Sequence, residues 1–358
     1  MFHKFKLVIY MLKAILVIIG TIIGAGFASG KEIFTFFNVY GIYGILGIFL
    51  AELLIGFIIY KTFNIILKCN ISRYSNFISV VITKSNFGNL VICNIVNIFL
   101  FISFVVMVAG FSAYFSQEFN LPNIFGAVII SVLAFLTFLK SIQGIVKINT
   151  YFIPFLIIIV LLLGLNNLTC FNNFEFHTTY VSFPWFISSF LYASYNLIIV
   201  IPILISLNKY VCTIKKAKMV SIGVFFFLFI MSIILFFVLN NYFFNIEDIE
   251  LPTVLIATKT GIIFKYVCGF TILIAIFTTA ISSGYSFLSY FNIQNRKWYI
   301  ILCFLLCFIS ILLSNIGFSY LLNLLYPILG MLRFYPNYIY SLFLKNTLQK
   351  MHFIDISI

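Results

Sequence analysis

Apolar residues run along this chain in long, nearly unbroken stretches that short polar segments separate. A helix needs about 20 apolar residues to cross a bilayer, and ten stretches have the length and composition of such helices. They are 8–38, 41–66, 88–117, 123–139, 145–168, 184–207, 218–243, 261–291, 298–314 and 317–344. Because apolar and polar residues do not alternate, the pattern predicts an all-α polytopic membrane protein with ten transmembrane helices and not an outer-membrane barrel.

Composition excludes the common soluble classes. The chain has 358 residues, of which 63% are hydrophobic and 8% are charged, against about 25% charged residues in an average soluble domain. A soluble fold could not bury so much apolar surface. The seven cysteines are scattered and form no Cys-x-x-Cys pair, which argues against a disulfide framework or a zinc site. No catalytic motif is present, so we expect neither an enzyme nor a nucleic-acid partner.

The net charge of +13 is explained by topology. With the N-terminus placed inside, 17 of the 21 basic residues fall in cytoplasmic segments. They are Lys4, Lys6, Lys13, Lys61, Lys68, Arg73, Lys84, Lys140, Lys147, Lys209, Lys215, Lys216, Lys218, Arg296, Lys297, Lys345 and Lys350. The positive-inside rule therefore predicts a multi-pass inner-membrane or plasma-membrane protein with both termini in the cytoplasm.

The first span contains a glycine cluster near its middle, from Gly20 to Gly30. Ser29-Gly-Lys-Glu32 reads as a capping box, which is a helix-start signal. A helix start at mid-membrane predicts unwound backbone at 24–28, and such backbone is tolerated only against a cavity or inside protein. The restarted helix would direct its N–H groups at a carboxylate. The alternative is close helix packing, since the cluster also contains two Gly-x-x-x-Gly motifs.

Four segments together resemble the YkvI-type family of bacterial membrane proteins. They are Gly24-Ala-Gly-Phe-Ala-Ser-Gly30-x-Glu32, Gly144-Ile-Val-Lys147-Ile-Asn149, Leu191-Tyr192-Ala-Ser194-Tyr-Asn196 and Phe277-Thr278-Thr279-Ala280. This family is similar to the amino acid–polyamine–organocation superfamily. The resemblance implies the LeuT-like fold, a five-plus-five inverted repeat with residues 1–168 and 169–358 as its halves. In such transporters the first helix of each half is broken.

The second break is expected in the sixth span, at Tyr192-Ala-Ser194-Tyr195-Asn196. No Gly or Pro lies within that segment, and Pro202 comes later. A Ser/Asn pair inside a membrane helix also has a simpler explanation, since it can bond a neighbouring helix.

The same resemblance implies a sodium site between spans one and eight. Its ligands would be the carbonyls of Gly20, Ile23 and Ala275 with the hydroxyls of Thr278 and Thr279. Oxygen ligands suit a hard cation. The alternative is that both threonines bond their own helix, as is common in membranes. Ser282 and Ser283 form a competing hydroxyl pair one turn further on.

Two intramembrane carboxyls are candidates for structural or coupling roles. Glu32 would complete the capping box. Glu52, midway along the second span, would accept hydrogen bonds from the unwound segment or carry a proton; structural support is the simpler role.

These residues predict a secondary active transporter that takes up an amino acid or a similar small zwitterion, coupled to a cation and preferably to Na⁺. The predicted substrate-binding residues are Gly24, Ala25, Gly26, Ser29, Tyr192, Ser194, Tyr195 and Asn196. The alternative is a ligand-sensing subunit of the same fold that transports nothing, similar to germinant receptors. No cofactor is indicated besides the coupling ion, and no protein partner can be named.

Overall fold

The computed structural model describes residues 2–81, 85–167, 176–178, 184–246, 249, 251–317 and 321. Its α-helices are α1 (Phe2–Ile22), α2 (Ala25–Ala28), α3 (Lys31–Ile33), α4 (Ile42–Lys68), α5 (Tyr74–Val81), α6 (Asn86–Phe119), α7 (Asn123–Phe138), α8 (Ser141–Asn166), α9 (Trp185–Ser206), α10 (Ile214–Asn240), α11 (Phe243–Ile246), α12 (Pro252–Thr260), α13 (Ile262–Tyr290) and α14 (Arg296–Ser314). A π-helical segment (Phe34–Asn38) continues α3, and a 3₁₀ turn (Leu207–Lys209) continues α9.

Seven of the helices in the described ranges are long and apolar enough to cross a membrane. These are α4, α6, α8, α9, α10, α13 and α14. Two shorter apolar helices accompany them, Val8–Ile22 within α1 and the whole of α7. The composition and length of these helices indicate a multi-pass membrane protein.

The predicted spans can be compared with these helices one by one. The first span is divided among α1, α2, α3 and the π-helical segment, and the next eight correspond to α4, α6, α7, α8, α9, α10, α13 and α14. The tenth, 317–344, lies outside the described residues apart from Gly317 and Leu321. The all-α polytopic fold is thus confirmed for the part of the chain that the structure covers.

Helices that are far apart in the sequence pack against one another. α4 packs against α10, α6 against α13, and α7 against α14. α1 lies among α8, α9, α10 and α13, and its residues Val17, Ile18 and Ile19 are completely buried. Apolar side chains on the outer faces of α7 and α14 are half exposed, among them Leu136 and Phe308. In a membrane protein such side chains face lipid.

α5 and α12 lie in connections and were not predicted as separate elements. α5 packs against α6, and α12 lies between α10 and α13. Pro252 is the first residue of α12, a position that suits proline because its missing N–H would have no partner there.

Candidate functional site

The first transmembrane helix is interrupted twice, on either side of one helical turn. α1 ends at Ile22, and the N–H of Gly24 donates to the carbonyl of Ile22 at 2.9 Å, closing a tight turn. The turn α2 follows, and the second interruption comes at Gly30, whose φ of 82° lies in the left-handed region. Glycine reaches that region without steric cost. The predicted discontinuity is present, but most of 24–28 is helical.

The predicted capping box is wrong. Gly30 is the N-terminal cap of α3, with no side-chain cap bond. Ser29 Oγ instead donates to the carbonyl of Gly26 at 3.1 Å and accepts from the N–H of Lys31 at 3.4 Å. The carboxylate of Glu32 turns towards α9, as described below. The left-handed Gly30 ends α2 in the way that a glycine after a helix C-terminus commonly does, and α3 begins directly after it.

A residue that the sequence reasoning missed completes the second interruption. Thr253, in the first turn of α12, donates its N–H to the carbonyl of Ser29 at 2.9 Å and its hydroxyl to the carbonyl of Ala28 at 3.0 Å. Both carbonyls lack helical partners because the chain turns away at Gly30. The Leu-Pro-Thr sequence signals the start of α12, but nothing in it indicates which backbone lies opposite.

Oxygen atoms of α1 and α13 meet at the first interruption. Thr279 Oγ1 lies 3.4 Å from the carbonyl oxygen of Gly20 and 3.2 Å from that of Ile23. On the same helix, Thr278 Oγ1 lies 3.1 Å from the carbonyl oxygen of Ala275. The structure therefore brings three of the five predicted sodium ligands together, namely the carbonyls of Gly20 and Ile23 and the hydroxyl of Thr279. Thr278 and Ala275 contact each other within α13.

Each of the two explanations for the hydroxyl groups applies to one of the two threonines. Thr278 bonds its own helix through Ala275, whereas Thr279 reaches across to α1. Ser282 Oγ donates to the carbonyl of Thr278 and accepts from Thr21 Oγ1 at 2.9 Å, and Ser283 donates only within α13. The competing serine pair thus lies beside this oxygen group and leaves the contact with the broken segment to Thr279.

A glycine allows the two helices to approach at this point. A Cβ atom on Gly24 would lie 3.3 Å from Thr279 Oγ1, closer than most side-chain contacts. On the other side of α1, a Cβ on Gly20 would overlap the side chain of Asn149 from α8. The Gly-x-x-x-Gly spacing therefore also serves close packing, as its alternative interpretation predicts, and close packing and the interruption occur together.

Glu32 connects the restarted half of the first helix to α9. Its Oε2 accepts a hydrogen bond from the hydroxyl of Tyr195. The rest of its side chain lies against Gly26, in the space that a Cβ there would need. Glu32 is partly buried, and among the described residues the one salt bridge joins Lys265 to Glu118, far along the sequence from Glu32.

Aromatic rings surround this contact. Tyr195 stacks on Phe36 with ring centroids 6.0 Å apart and meets Tyr192 edge-on at 5.6 Å. Tyr192 in turn packs edge-on against Phe37 at 5.1 Å. Ser188 Oγ donates to the carbonyl of Phe36 at 2.8 Å. The π-helical segment and α9 thus form a continuous aromatic wall next to the Glu32 carboxylate.

The predicted break in the sixth span is wrong, because α9 is continuous from Trp185 to Ser206. Ser194 Oγ donates to the carbonyl of Phe190 at 2.6 Å, and Asn196 Nδ2 donates to that of Tyr192 at 3.0 Å. Each polar side chain therefore bonds the carbonyl one turn back, a common pattern for hydroxyl and amide groups in membrane helices. The carbonyls around Tyr192 to Asn196 stay in the helix and are not exposed for a ligand.

Glu52 is completely buried but does not contact the interrupted segment as predicted. Its Oε1 accepts from Ser232 Oγ of α10 at 2.9 Å, and its Oε2 has no protein partner. One turn further along α10, the carbonyl of Phe236 accepts from Asn38 Nδ2 at 2.9 Å. Glu52 therefore links α4 to α10.

Comparisons with known proteins agree with this architecture. No known protein family description matches the chain. The chain is 29% identical over 335 residues to an uncharacterized protein, YyaD of Bacillus subtilis (strain 168), covering 90% of this chain and 94% of that protein. The resemblance to the YkvI-type family stays a prediction from sequence.

Two solved transporters have a similar structure. One is a Na⁺-coupled sialic acid symporter in a substrate-bound, outward-open state, with a TM-score of 0.68 at 13% identity over 90% of this chain and 76% of that one. The other is Mhp1, a nucleobase-cation-symport-1 family transporter in a closed conformation, with a TM-score of 0.57 at 12% identity over 90% and 75%. At such identities the likeness establishes the shared fold, which is the LeuT-like fold that the sequence predicts.

Proposed function

We propose that this protein is a secondary active transporter that couples the uptake of an amino acid or a similar small zwitterion to sodium. It works by alternating access in a bacterial cell membrane, with both termini in the cytoplasm. The observation that carries the proposal is the contact of Thr279 Oγ1 with two backbone carbonyls of the interrupted first helix. The shared fold with two cation-coupled transporters supports it.

The oxygen spacing suits a cation of the size of sodium. Ca²⁺, which is close to Na⁺ in radius, is bound at 2.3–2.6 Å by oxygen, so neighbouring ligands at right angles lie about 3.4 Å apart. The Thr279–Gly20 and Thr279–Ile23 oxygen pairs are separated by 3.4 and 3.2 Å. Sodium would bind the carbonyls of Gly20, Ile23 and Ala275 with the hydroxyls of Thr278 and Thr279. Thr278 and Thr279 would then turn their hydrogens away from the ion.

Sodium at this position would bind both α1 and α13 and would thereby connect two groups of helices. One group contains the interrupted helix with α4, α9 and α10, and the other contains α6, α7, α13 and α14. In alternating access the first group rocks against the second. Loss of sodium to the low concentration inside the cell would release α1 from α13, and the sodium gradient would thereby drive the substrate step.

The substrate ammonium group is proposed to bind the carboxylate of Glu32. This residue replaces the α9 carbonyls in that role, because α9 is continuous. A carboxyl at membrane depth is costly to ionise without a cation nearby, and an ammonium group supplies one. The Tyr195 hydroxyl keeps the carboxylate oriented, and Tyr192 with Tyr195 would line the pocket.

The substrate carboxylate would bind the first N–H groups of α2. The N–H groups of the first turn of a helix have no intrahelical acceptor. In α2 the first helical bond is donated by Ala28, to Gly24, so the N–H groups of Ala25 and Gly26 precede it. Gly26 also lies against Glu32. The two charged groups of a small zwitterion are therefore matched over a short distance, with Ser29 one turn further on.

The test is uptake by the purified protein in sealed vesicles. A panel of labelled amino acids would be offered with an inward sodium gradient, with a matched potassium gradient as the control. We expect at least one amino acid to accumulate under the sodium gradient and not under the potassium gradient. Glu32→Gln should weaken substrate binding because it removes the charge, while Tyr195→Phe keeps the charge and should have the smaller effect. Substrate-induced stabilisation without any flux would favour the ligand-sensing alternative and refute transport.

A further inference from the structure

A deep groove on the membrane-facing side of the protein lies away from the sodium and substrate site. It has a volume of about 780 Å³ and is formed by α6, α7, α8 and α13. Apart from Thr137, Gly144 and two lysines, the side chains that line it are aliphatic or aromatic. Several of them are half exposed, including Leu136 and Phe270, so the groove opens towards the surrounding lipid.

The two lysines stand at one end of the groove. Lys140 directly precedes α8, and Lys147 lies two turns further along the same face. Both side chains are exposed. The sequence contains no acidic residue from 119 to 174, so neither the α7–α8 connection nor these two helices supply a countercharge. The groove thus presents two positive charges at the membrane boundary and an apolar wall beyond them.

The part of the groove that α8 lines has the length of about one leaflet, and on α6 the lining continues to Phe119, the last residue of that helix. From Lys140 to Phe152, the last α8 residue that lines it, the helix rises about 18 Å at 1.5 Å per residue. Half of a hydrocarbon core of about 30 Å is about 15 Å. An acyl chain that enters beside the lysines would therefore reach the middle of the bilayer, near Phe277 on α13.

At the basic end of the groove, α7 and α8 are in close contact. A Cβ atom on Gly144 would overlap the backbone carbonyl of Thr137 there. Further along α8, Tyr151 is 71% exposed, and Phe155 contacts Phe270 of α13 with ring centroids 6.2 Å apart. A wide gap with apolar walls, closed at the lysine end by two packed helices, suits a lipid tail.

We propose that this groove is a binding site for an anionic phospholipid. Its phosphate pairs with Lys140 and Lys147, and an acyl chain fills the apolar part. Basic pockets between membrane helices near the cytoplasmic surface bind anionic headgroups in this way. Charge complementarity selects an anionic lipid over a zwitterionic one, and the apolar length selects a lipid over a free phosphate ion. The proposal does not depend on sodium coupling or on transport.

The test is native mass spectrometry of the purified protein with phosphatidylglycerol and phosphatidylcholine that carry identical acyl chains. The wild type should retain phosphatidylglycerol preferentially. The double variant Lys140→Gln/Lys147→Gln should lose about 30-fold of that preference, from about 1 kcal/mol for each lysine near an anionic surface. Lys215→Gln/Lys216→Gln, at the start of α10, is the matched control and should keep the preference.

A second variant tests the apolar part independently. Leu136→Trp fills the groove from its open side and leaves both lysines in place, so it should lower retention of phosphatidylglycerol. Glycerol phosphate, which has the headgroup charge but no chain, should not displace the bound lipid. Equal retention of the two lipids by the wild type, an unchanged preference in the Lys140/Lys147 variant, or full displacement by glycerol phosphate would each overturn the proposal.

Discussion

Replacing Thr279 with valine is the sharpest test of the proposed sodium site. Valine keeps the β-branched shape but puts a methyl group where the hydroxyl contacts the Gly20 and Ile23 carbonyls. Thr271→Val is the matched control, because Thr271 is also buried on α13 and its hydroxyl donates at 2.8 Å to Val267 of the same helix.

Thr279→Val should have a small effect on stability without sodium and a larger one with sodium. Without sodium, the hydroxyl has one hydrogen to share between acceptors at 3.2 and 3.4 Å, both longer than the usual O–H···O distance. Its loss should lower the free energy of unfolding by only about 0.5–1 kcal/mol. With sodium, the variant loses one of five ligands. Altering even an outer-shell partner of a metal site costs about 10–100-fold in affinity, so the loss for a direct ligand should be at least about tenfold.

The assay is thermal unfolding in detergent as a function of sodium concentration at constant ionic strength. Binding to the folded state stabilises it by RT ln(1 + [L]/Kd), so a tenfold weaker Kd removes about 1.4 kcal/mol at saturating sodium. Thr279→Val should shift the sodium dependence to higher concentration, and Thr271→Val should not. If Thr279→Val keeps the sodium dependence of the wild type, Thr279 is not a ligand and the proposed site is wrong.

Three further substitutions test the contact between α4 and α10 and the second interruption of the first helix. Ser232→Ala removes the hydroxyl that donates to Glu52 and should lower the free energy of unfolding by about 1–3 kcal/mol, measured by chemical denaturation. Thr253→Val should cost about 1 kcal/mol and raise hydrogen exchange near Ala28, whose carbonyl loses its side-chain donor; unchanged exchange would contradict the contact. Gly30→Ala forces a left-handed backbone on alanine and should cost about 1–2 kcal/mol, so a neutral effect on the unfolding temperature would contradict the left-handed turn.

The membrane helices could be predicted because their signal is local. A span of about 20 apolar residues leaves few alternatives in a bilayer, where every backbone group must be bonded within the protein. α4, α8, α10 and α13 accordingly lie close to their predicted ranges. α5 and α12 were missed because short helices in connections carry a weak periodic signal.

The site was predicted in part for a similar reason. The interruption at Gly30 follows from glycine, because the left-handed φ of 82° there is open to glycine without steric cost. The family resemblance implied a site with Ala275, Thr278 and Thr279 on one helix, but the sequence left open whether the hydroxyls bond their own helix or another. α13 contains both outcomes in neighbouring residues, since Thr278 bonds within the helix and Thr279 reaches α1.

By itself, the sequence determined the polytopic helical architecture and the position of the discontinuity, because hydrophobic length and glycine act locally. Only the tertiary structure decided which groups the polar side chains bind. Glu32 binds Tyr195 instead of capping its helix, and Glu52 binds Ser232 instead of the interrupted backbone. Each of these polar groups takes the donor that helix packing brings within reach, and that donor lies more than 150 residues away in the chain.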